Sequence, residues 1–261
     1  MRLLAPICYT LFHFPSHLQP FKNVTTADLQ ETVLFIGNPG TGKTTLINSV
    51  AGKIISKAGP VFVGGIMFDD SQYTVVDGIK WVNTPGLPDI KQCKLGAKGI
   101  IKTLKQPGHY RLIFVFTEYG SCVNPLDLAT LETVLNAIDQ EDIPFGVIFN
   151  KISPKKMKRF VCDLADKLRL LTFINSGSYQ TEHVYLARCV DEARDMDDII
   201  LSDDFIASIK AFIAQVPKID IRPDMIKDFD TSTLSYSNVQ RIEELAAKQM
   251  EQLYAQMEMW Q

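Results

Sequence analysis

The sequence predicts an α/β fold with a mostly parallel β-sheet covered by helices, followed by a C-terminal helical extension. Between about residues 33 and 216, short runs rich in β-branched and aromatic residues alternate with longer segments whose apolar residues recur at helical spacing. The run 111–117 is almost wholly apolar, as expected of a strand buried on both faces. A glycine-rich loop joins the first predicted strand to the first predicted helix. Together these three observations indicate strands linked by helices.

Length and composition suit a globular protein with a buried core. The chain has 261 residues, of which 46% are hydrophobic and 22% charged, enough for one large domain with or without an appendage. The net charge of −3 gives no general reason to expect nucleic acid or an anionic membrane as a partner. The five cysteines are widely scattered, and there is no apolar run of roughly 18 residues. We therefore expect reduced thiols, a cytoplasmic location and no transmembrane helix.

Residues 1–29 are predicted to form a loosely ordered N-terminal arm. Their apolar run, residues 3–12, suggests a targeting sequence as the alternative. Pro6 breaks that run, and Arg2 alone is too little positive charge for a mitochondrial presequence. We therefore expect the folded domain to begin near residue 30.

The glycine-rich loop, residues 37–44, follows the predicted strand 32–36 and precedes a helix-like segment that ends at Gly52. Strand, glycine loop and helix are the context of a phosphate-binding P-loop. The glycines let the N–H groups of the loop turn inward around a diphosphate, and the helix N-terminus adds the positive end of its dipole. The sequence therefore predicts the three-layer P-loop NTPase fold and a nucleoside-phosphate ligand.

Two side chains at the end of the loop have predicted roles in this chemistry. Lys43 would neutralise the β- and γ-phosphates, and the hydroxyl of Thr44 would ligate Mg²⁺, the predicted cofactor. A glycine-rich turn that merely fits the pattern is the alternative, but the flanking strand and helix argue against it. The predicted nucleotide-binding residues of this segment are Gly37, Asn38, Pro39, Gly40, Thr41, Gly42, Lys43, Thr44 and Thr45.

The remaining elements of the domain, predicted over residues 30–217, follow from the same alternation. The further predicted strands are 60–68, 73–76, 78–83, 111–117, 145–150 and 183–187. The further predicted helices are 94–106, 125–139, 155–174 and 202–216. Ser202 is a suitable N-cap for the last of these helices, and Asp203 and Asp204 suit the positive end of its dipole.

The end of the chain changes character at Pro217 and Pro223, and residues 218–237 are predicted to be a linker. Residues 238–261 carry apolar side chains at three- and four-residue steps, which predicts an amphipathic helix. This helix would either pack back on the domain or form a short coiled coil or partner-binding helix. Gln249 and Gln256, which lie along the apolar stripe, weaken the coiled-coil alternative.

A second pattern, Asn83-Thr84-Pro85-Gly86, follows a predicted strand end 39 positions after Thr44. Together with the helix start at residues 46–52, it resembles the translation-factor-type GTPases, particularly the septin and immunity-associated (avirulence-induced) branch. That family carries Asp-Thr-Pro-Gly at this point. The resemblance implies that residue 83 steadies Mg²⁺ through water and that the N–H of Gly86 senses the γ-phosphate. The alternative is an ordinary proline-glycine turn after a strand.

A third pattern, at Asn150, Lys151 and Ser153, ends the predicted strand 145–150 where the family has its Asn-Lys-x-Asp guanine-recognition motif. The resemblance implies that Asn150 holds the guanine edge and that the stem of Lys151 covers the base. Ser153 replaces the acid that pairs with guanine, a loss worth about 1.5–3 kcal/mol that loosens discrimination against adenine. The segment 187–189 lies where the family contacts the base through its backbone.

The departures from the family leave the predicted binding apparatus largely present and the hydrolytic apparatus thin. Asn83 removes a negative charge near Mg²⁺, and Leu87 stands where a water-orienting glutamine could follow Gly86. We expect a slow GTP-hydrolysing switch, with Lys43, Thr44 and Gly86 as its catalytic residues and segments 59–73 and 84–92 ordered by the γ-phosphate.

Two alternatives to this switch stay open: a nucleotide-binding pseudo-GTPase scaffold without turnover, and a P-loop ATPase. A homodimer through the nucleotide face or the C-terminal helix is a further expectation, by analogy with the family. The lysine-rich stretch 151–159 is most simply a solvated helix face, with peripheral membrane contact as the alternative.

Overall fold

The computed structural model describes residues 30–55, 71–87, 90–119, 122–190, 199–230 and 236–258. The predicted arm 1–29 and the predicted strand 60–68 lie outside these ranges, as does most of the predicted switch segment 59–73. Within the described residues, strands and helices alternate along the chain as the sequence predicts.

The strands are β1 (Glu31–Ile36), β2 (Gln72–Val76), β3 (Ile79–Asn83), β4 (Gly108–Tyr119), β5 (Cys122–Val123), β6 (Phe145–Ile152), β7 (Val184–Arg188) and β8 (Ile219–Ile221). The helices are α1 (Lys43–Ala51), α2 (Ile90–Leu104), α3 (Pro125–Asn136), α4 (Pro154–Cys162), α5 (Leu164–Ile174), α6 (Asp203–Gln215) and α7 (Tyr236–Glu258), with a 3₁₀ turn at Pro223–Met225. None of these described helices combines the length and the apolar character that crossing a bilayer requires.

The sheet has the strand order β2-β3-β1-β4-β6-β7, and β5 and β8 also pair with β4. Strands β3, β1, β4, β6 and β7 run parallel, whereas β2 pairs antiparallel with β3 at one edge. Strands β5 and β8 are antiparallel to β4. The mostly parallel α/β fold is therefore confirmed.

Alternation along β1 shows how the sheet buries both of its faces. Leu34 and Ile36 belong to a core that includes residues of α2, α3, α5 and α7, whereas Val33 and Phe35 belong to a core with α1 and α6. All four side chains are almost completely buried. Because successive residues of a strand point to opposite faces, a run without polar residues requires a cover of helices on each side. This arrangement gives the three predicted layers.

One predicted helix is two helices in the structure. The prediction of a single helix over residues 155–174 is wrong, because Asp163 separates α4 from α5 in an extended conformation. Its carboxylate accepts hydrogen bonds from the N–H groups of Ala165 (2.9 Å) and Asp166 (3.4 Å). An aspartate that caps the following turn competes with helix continuation, which explains the break.

The segment predicted as a linker, residues 218–237, begins instead as part of the sheet. Strand β8 pairs antiparallel with the first residues of β4, and Ile219 and Ile221 are each 2% exposed. Farther along, Ile226 is buried and forms an isolated bridge with Ile138. The chain therefore continues to contribute core residues after Pro217.

Helix α7 packs back on the domain, the first of the two arrangements that the sequence left open. It contacts α3 and α5, and its apolar stripe buries Ile242 (5% exposed) and Ala246 (0%). The side chain of Gln249 donates a 3.3 Å hydrogen bond to the carbonyl of Ser176. Within the described residues, the stripe that suggested a coiled coil thus faces the chain's own core.

Replacing Ile242 with alanine should destabilise the domain, because it leaves a cavity where α7 meets the core. We expect the free energy of unfolding to fall by about 2–5 kcal/mol. The matched control is Leu245→Ala on the same helix, where the side chain is 44% exposed and the loss should be smaller. Equal, small effects of both changes in denaturant titrations would contradict docking of α7.

Candidate functional site

The candidate site lies where the parallel strands of the sheet end. The glycine-rich loop follows β1, residues 84–87 follow β3, Asn150 and Lys151 lie near the end of β6, and residues 189–190 follow β7. In a parallel sheet these carboxyl ends share one edge, which is the usual place for a ligand in an open α/β fold. Segments that are far apart in sequence are thereby brought together.

The glycines of the loop meet conformational and steric demands that other residues do not. Gly40 and Gly42 have φ angles of 81° and 96°, in the left-handed region that favours glycine. A Cβ atom at Gly42 would lie 2.5 Å from Nδ2 of Asn150, and one at Gly37 would lie 2.5 Å from the carbonyl oxygen of Val115. The loop is therefore packed tightly against β4 and β6.

Lys43 is the buried cation of the site, with 7% of its surface exposed. Its Nζ atom donates hydrogen bonds to the carbonyl oxygens of Gly37 (2.7 Å) and Asn38 (3.0 Å). Burial lowers the pKa of Lys43 to about 8, and the negative charge of Asp127 opposes this shift. The ammonium group therefore lies inside the loop, as its predicted role requires.

Thr44 and Asn83 are directly connected. Nδ2 of Asn83 donates a 3.1 Å hydrogen bond to Oγ1 of Thr44. Oδ1 of Asn83 is buried and has no hydrogen-bond partner among the described residues. An unpaired buried carbonyl oxygen is costly, and hydroxyl and amide oxygens are the kind of ligand that Mg²⁺ accepts. These two residues fit a magnesium ion, although without the charge of a carboxylate.

The segment after β3 is anchored to the first strand and touches the loop. The backbone N–H and the hydroxyl of Thr84 both donate to the carbonyl oxygen of Phe35, at 3.2 and 2.8 Å. A Cβ atom at Gly86 would lie 2.5 Å from Cδ of Pro39. Gly86 thus lies directly against the phosphate loop, where the sequence predicts a γ-phosphate contact.

Asn150 and Lys151 hold the other side of the loop. Nδ2 of Asn150 donates to the carbonyl of Thr41 (2.9 Å), and Nζ of Lys151 donates to the carbonyl of Gly40 (2.7 Å). Lys151 has a φ angle of 61°, a strained value for a residue with a side chain. Both residues therefore face the loop from the position where a base would lie.

A cavity of about 260 Å³ adjoins these residues. The described residues that line it are Gly42, Thr45, Leu46, Asn150, Lys151, Arg188, Cys189, Val190, Leu201 and Phe205. The lining includes Arg188 and Cys189 from the segment that the resemblance assigns to a backbone contact with the base. Ser153 is not among these lining residues; it is the N-cap of α4, and its carbonyl accepts a hydrogen bond from Met157.

Sequence reasoning missed two residues of α3 that contact the loop. Asp127 is fully buried and accepts hydrogen bonds from Nδ2 of Asn38 (2.6 Å) and from the backbone N–H of Thr117 (2.9 Å). The hydroxyl of Thr130 donates to Oδ1 of Asn38 (3.0 Å). An aspartate within an otherwise apolar helix was the available signal, but nothing in the sequence indicates its partner 89 positions earlier.

The fold and this arrangement of loops define a P-loop GTPase domain. Residues 32–151, less than half of the chain, match the model of the 50S ribosome-binding GTPase family. This segment contains the phosphate loop, residues 83–86, Asn150 and Lys151. No curated protein sequence matches the chain.

Several solved structures share the fold at low sequence identity. Toc33 from Arabidopsis thaliana in complex with GDP and Mg²⁺ has 17% identity and a TM-score of 0.48, over 75% of this chain and 89% of that one. Aquifex aeolicus Era bound to GDP·AlF₄⁻ has 16% identity and a TM-score of 0.40, over 77% and 62%. The cytosolic domain of the T. maritima FeoB iron transporter in its GMPPNP form has 16% identity and a TM-score of 0.34, over 85% and 95%. With TM-scores below 0.5, these likenesses carry no conclusion about what this chain binds.

The pH dependence of stability should reveal the buried carboxyl group of Asp127. Burial raises its pKa to about 6, against the hydrogen bonds from Thr117 and Asn38 and the charge of Lys43, which lower it. Between about pH 4 and 6 the folded chain therefore holds a proton that the unfolded chain has released, so stability falls as pH rises. Relative to Asp127→Asn, the free energy of unfolding of the wild type should fall by about 3 kcal/mol across this range.

Denaturant titrations of both proteins in one buffer series provide the measurement, because titration of the other groups cancels in the difference. Parallel pH curves for the two proteins would contradict the assignment of a raised pKa to Asp127.

Proposed function

We propose that the chain binds GTP and GDP with Mg²⁺ at this site and acts as a slow GTP-hydrolysing switch. The observation that carries the proposal is the meeting of three separately predicted segments around one loop. Asn83 bonds to Thr44, Gly86 lies against Pro39, and Asn150 bonds to Thr41. The match to a GTPase family over residues 32–151 supports guanine nucleotide rather than the ATPase alternative.

The proposed roles follow from the positions of the residues. The N–H groups of the loop and the ammonium group of Lys43 would bind the β- and γ-phosphates, with Lys43 exchanging the carbonyl oxygens of Gly37 and Asn38 for phosphate oxygens. Thr44 and Asn83 would hold Mg²⁺, which supplies charge neutralisation on the phosphates. The N–H of Gly86 would contact the γ-phosphate. Catalysis would then rest on positioning and electrostatic stabilisation.

Slow hydrolysis is proposed because the polar groups near the phosphates include few that could orient a water molecule. Asn83 offers a neutral amide where an acid would place a charge, and Leu87 is apolar and 1% exposed. The same residues motivate the second candidate function, a pseudo-GTPase that binds nucleotide without turnover. The two candidates differ only in the chemical step, so nucleotide binding alone does not separate them.

Several finer statements remain predictions from the sequence. They are the septin and immunity-associated branch, the homodimer, the cytoplasmic location and peripheral membrane contact. A solved structure of Toc33 and Toc159 components carries the statement that dimerisation is important for their GTPase activity. For this chain we propose a homodimer across the nucleotide face as a source of the catalytic groups that Asn83 and Leu87 do not provide.

Changing Lys43 to alanine tests the enzyme proposal. Phosphate release from bound GTP in a single turnover should fall by at least about a hundredfold, because the charge that stabilises the transferred phosphoryl group is lost. Lys53→Ala, at an exposed lysine just beyond α1, is the control and should retain the wild-type rate. A wild-type rate no faster than that of Lys43→Ala, with nucleotide bound, would leave only the pseudo-GTPase.

Changing Ser153 to aspartate should increase selectivity for GTP over ATP. A carboxylate that pairs with two guanine N–H groups gains about 1.5–3 kcal/mol, or roughly tenfold to a hundredfold in relative affinity. Ser153→Asn is the matched control, because asparagine is an equally good N-cap for α4 and carries no charge. The measurement is competition of labelled GTP by unlabelled ATP. Unchanged selectivity of the aspartate variant would mean that the base does not reach residue 153.

A further inference from the structure

We propose that Asp127, together with Thr130, is the positioning residue of the phosphate loop: it fixes Asn38 and thereby the carbonyl oxygens that surround Lys43. The inference rests on the proposed function, because phosphate affinity is the property that the position of the loop controls. It assigns to helix α3 a part in nucleotide capture that none of the three sequence patterns contains.

Asn38 is the centre of the loop's hydrogen bonding. Its carbonyl oxygen accepts from Nζ of Lys43 (3.0 Å), from Oγ1 of Thr41 (3.0 Å) and from the N–H of Thr41 (3.4 Å). With 4% of its surface exposed, this residue is also shielded from water. A shift of Asn38 would therefore move the lysine, the backbone turn and the direction of the loop's N–H groups together.

The side chain of Asn38 is held at both ends by α3. Its amide nitrogen donates to Asp127, and its amide oxygen accepts from Thr130. Residues three apart lie on the same face of a helix, so one face of α3 meets both ends of the amide. The second oxygen of Asp127 accepts from the N–H of Thr117, which joins the loop to β4 as well. The amide of Asn38 has a single orientation that satisfies this set of donors and acceptors.

The charge of Asp127 adds to this geometric role. Of the two acidic side chains that are described as buried, Asp127 is the one that influences Lys43 electrostatically; the other, Asp166, pairs with Arg159 and Arg169. A carboxylate in a fully buried place is stable only when it is hydrogen-bonded and faces a positive charge. Asp127 therefore holds the loop and balances its ammonium group at the same time.

The first test replaces Asp127 with asparagine. An amide offers one acceptor where the carboxylate offers two, so its NH₂ group must face either the amide nitrogen of Asn38 or the N–H of Thr117. We expect the affinity for a fluorescent GDP analogue with Mg²⁺ to fall about tenfold or more, with one buried donor left unpaired. Thr130→Val, which removes one hydrogen bond and keeps the volume, should weaken binding by a smaller factor and serves if the first variant does not fold.

Thr133→Val is the matched control for Thr130→Val. Both threonines lie on α3 and are buried, but the hydroxyl of Thr133 donates to the carbonyl of Ala129 within its own helix (2.7 Å). The control should leave the affinity within about twofold of the wild type. A purely structural role of Thr130 would lower the thermal stability of both variants and leave both affinities unchanged.

The decisive variant exchanges the two partners, Asn38→Asp combined with Asp127→Asn. The new amide at position 127 can donate to the new carboxylate at position 38 and still accept from Thr117, while Thr130 donates to the other oxygen at position 38. Every hydrogen bond of the set is thus restored with its polarity reversed. The double variant should bind the nucleotide more tightly than either single variant, as a double-mutant cycle with a favourable coupling.

The outcomes separate this inference from the proposed function. If the wild type binds the analogue and Asp127→Asn binds it equally well, the inference is wrong even when the variant is less stable. A double variant that binds no better than Asn38→Asp alone overturns it as well, since both carry the same charge at position 38. If the wild type itself binds neither GDP nor GTP, the proposed function has failed instead.

Discussion

The burial of one ammonium group, that of Lys43, is the constraint on which the rest of the site depends. Removing a charged lysine from water is unfavourable unless polar partners replace the solvent. Here the replacement is two carbonyl oxygens of the loop, those of Gly37 and Asn38, with the charge of Asp127 behind them. Each partner imposes a requirement of its own. Gly37 must lie against the carbonyl of Val115, where a Cβ atom has no room, and Asn38 must be held by α3.

The features that could be predicted from the sequence are those in which a local pattern determines the backbone. The phosphate loop needs glycines at particular φ angles and a strand and helix on either side, and all of these are consecutive residues. Asn83 and Asn150 were predictable for the same reason, since each follows directly from a strand whose end lies at a known edge of the sheet. The contact of Asp127 with Asn38 was not, because it depends on how α3 crosses the end of β4.

Two further differences between prediction and structure have similar causes. Strand β8 has three residues between two prolines, too few to show alternation, and it is a strand only because the first residues of β4 offer it an edge. At Asp163 the apolar pattern of a helix continues across the break, so periodicity alone joins α4 to α5. The side chain of Asp163 decides the matter by capping the second helix, a local competition that the hydrophobic pattern does not record.

The side chains assigned to the base are already bonded to the loop, and this links the two halves of the site. Asn150 donates to the carbonyl of Thr41, and Lys151 to the carbonyl of Gly40, on the side opposite to the contacts from α3. The loop is thus held between β6 and α3, and the cavity beside Asn150 is closed on one side by the loop itself. A group that enters this cavity must meet or displace bonds that also position Lys43. Substitutions at residue 150 therefore act on phosphate binding as well as on the base, because one amide serves both.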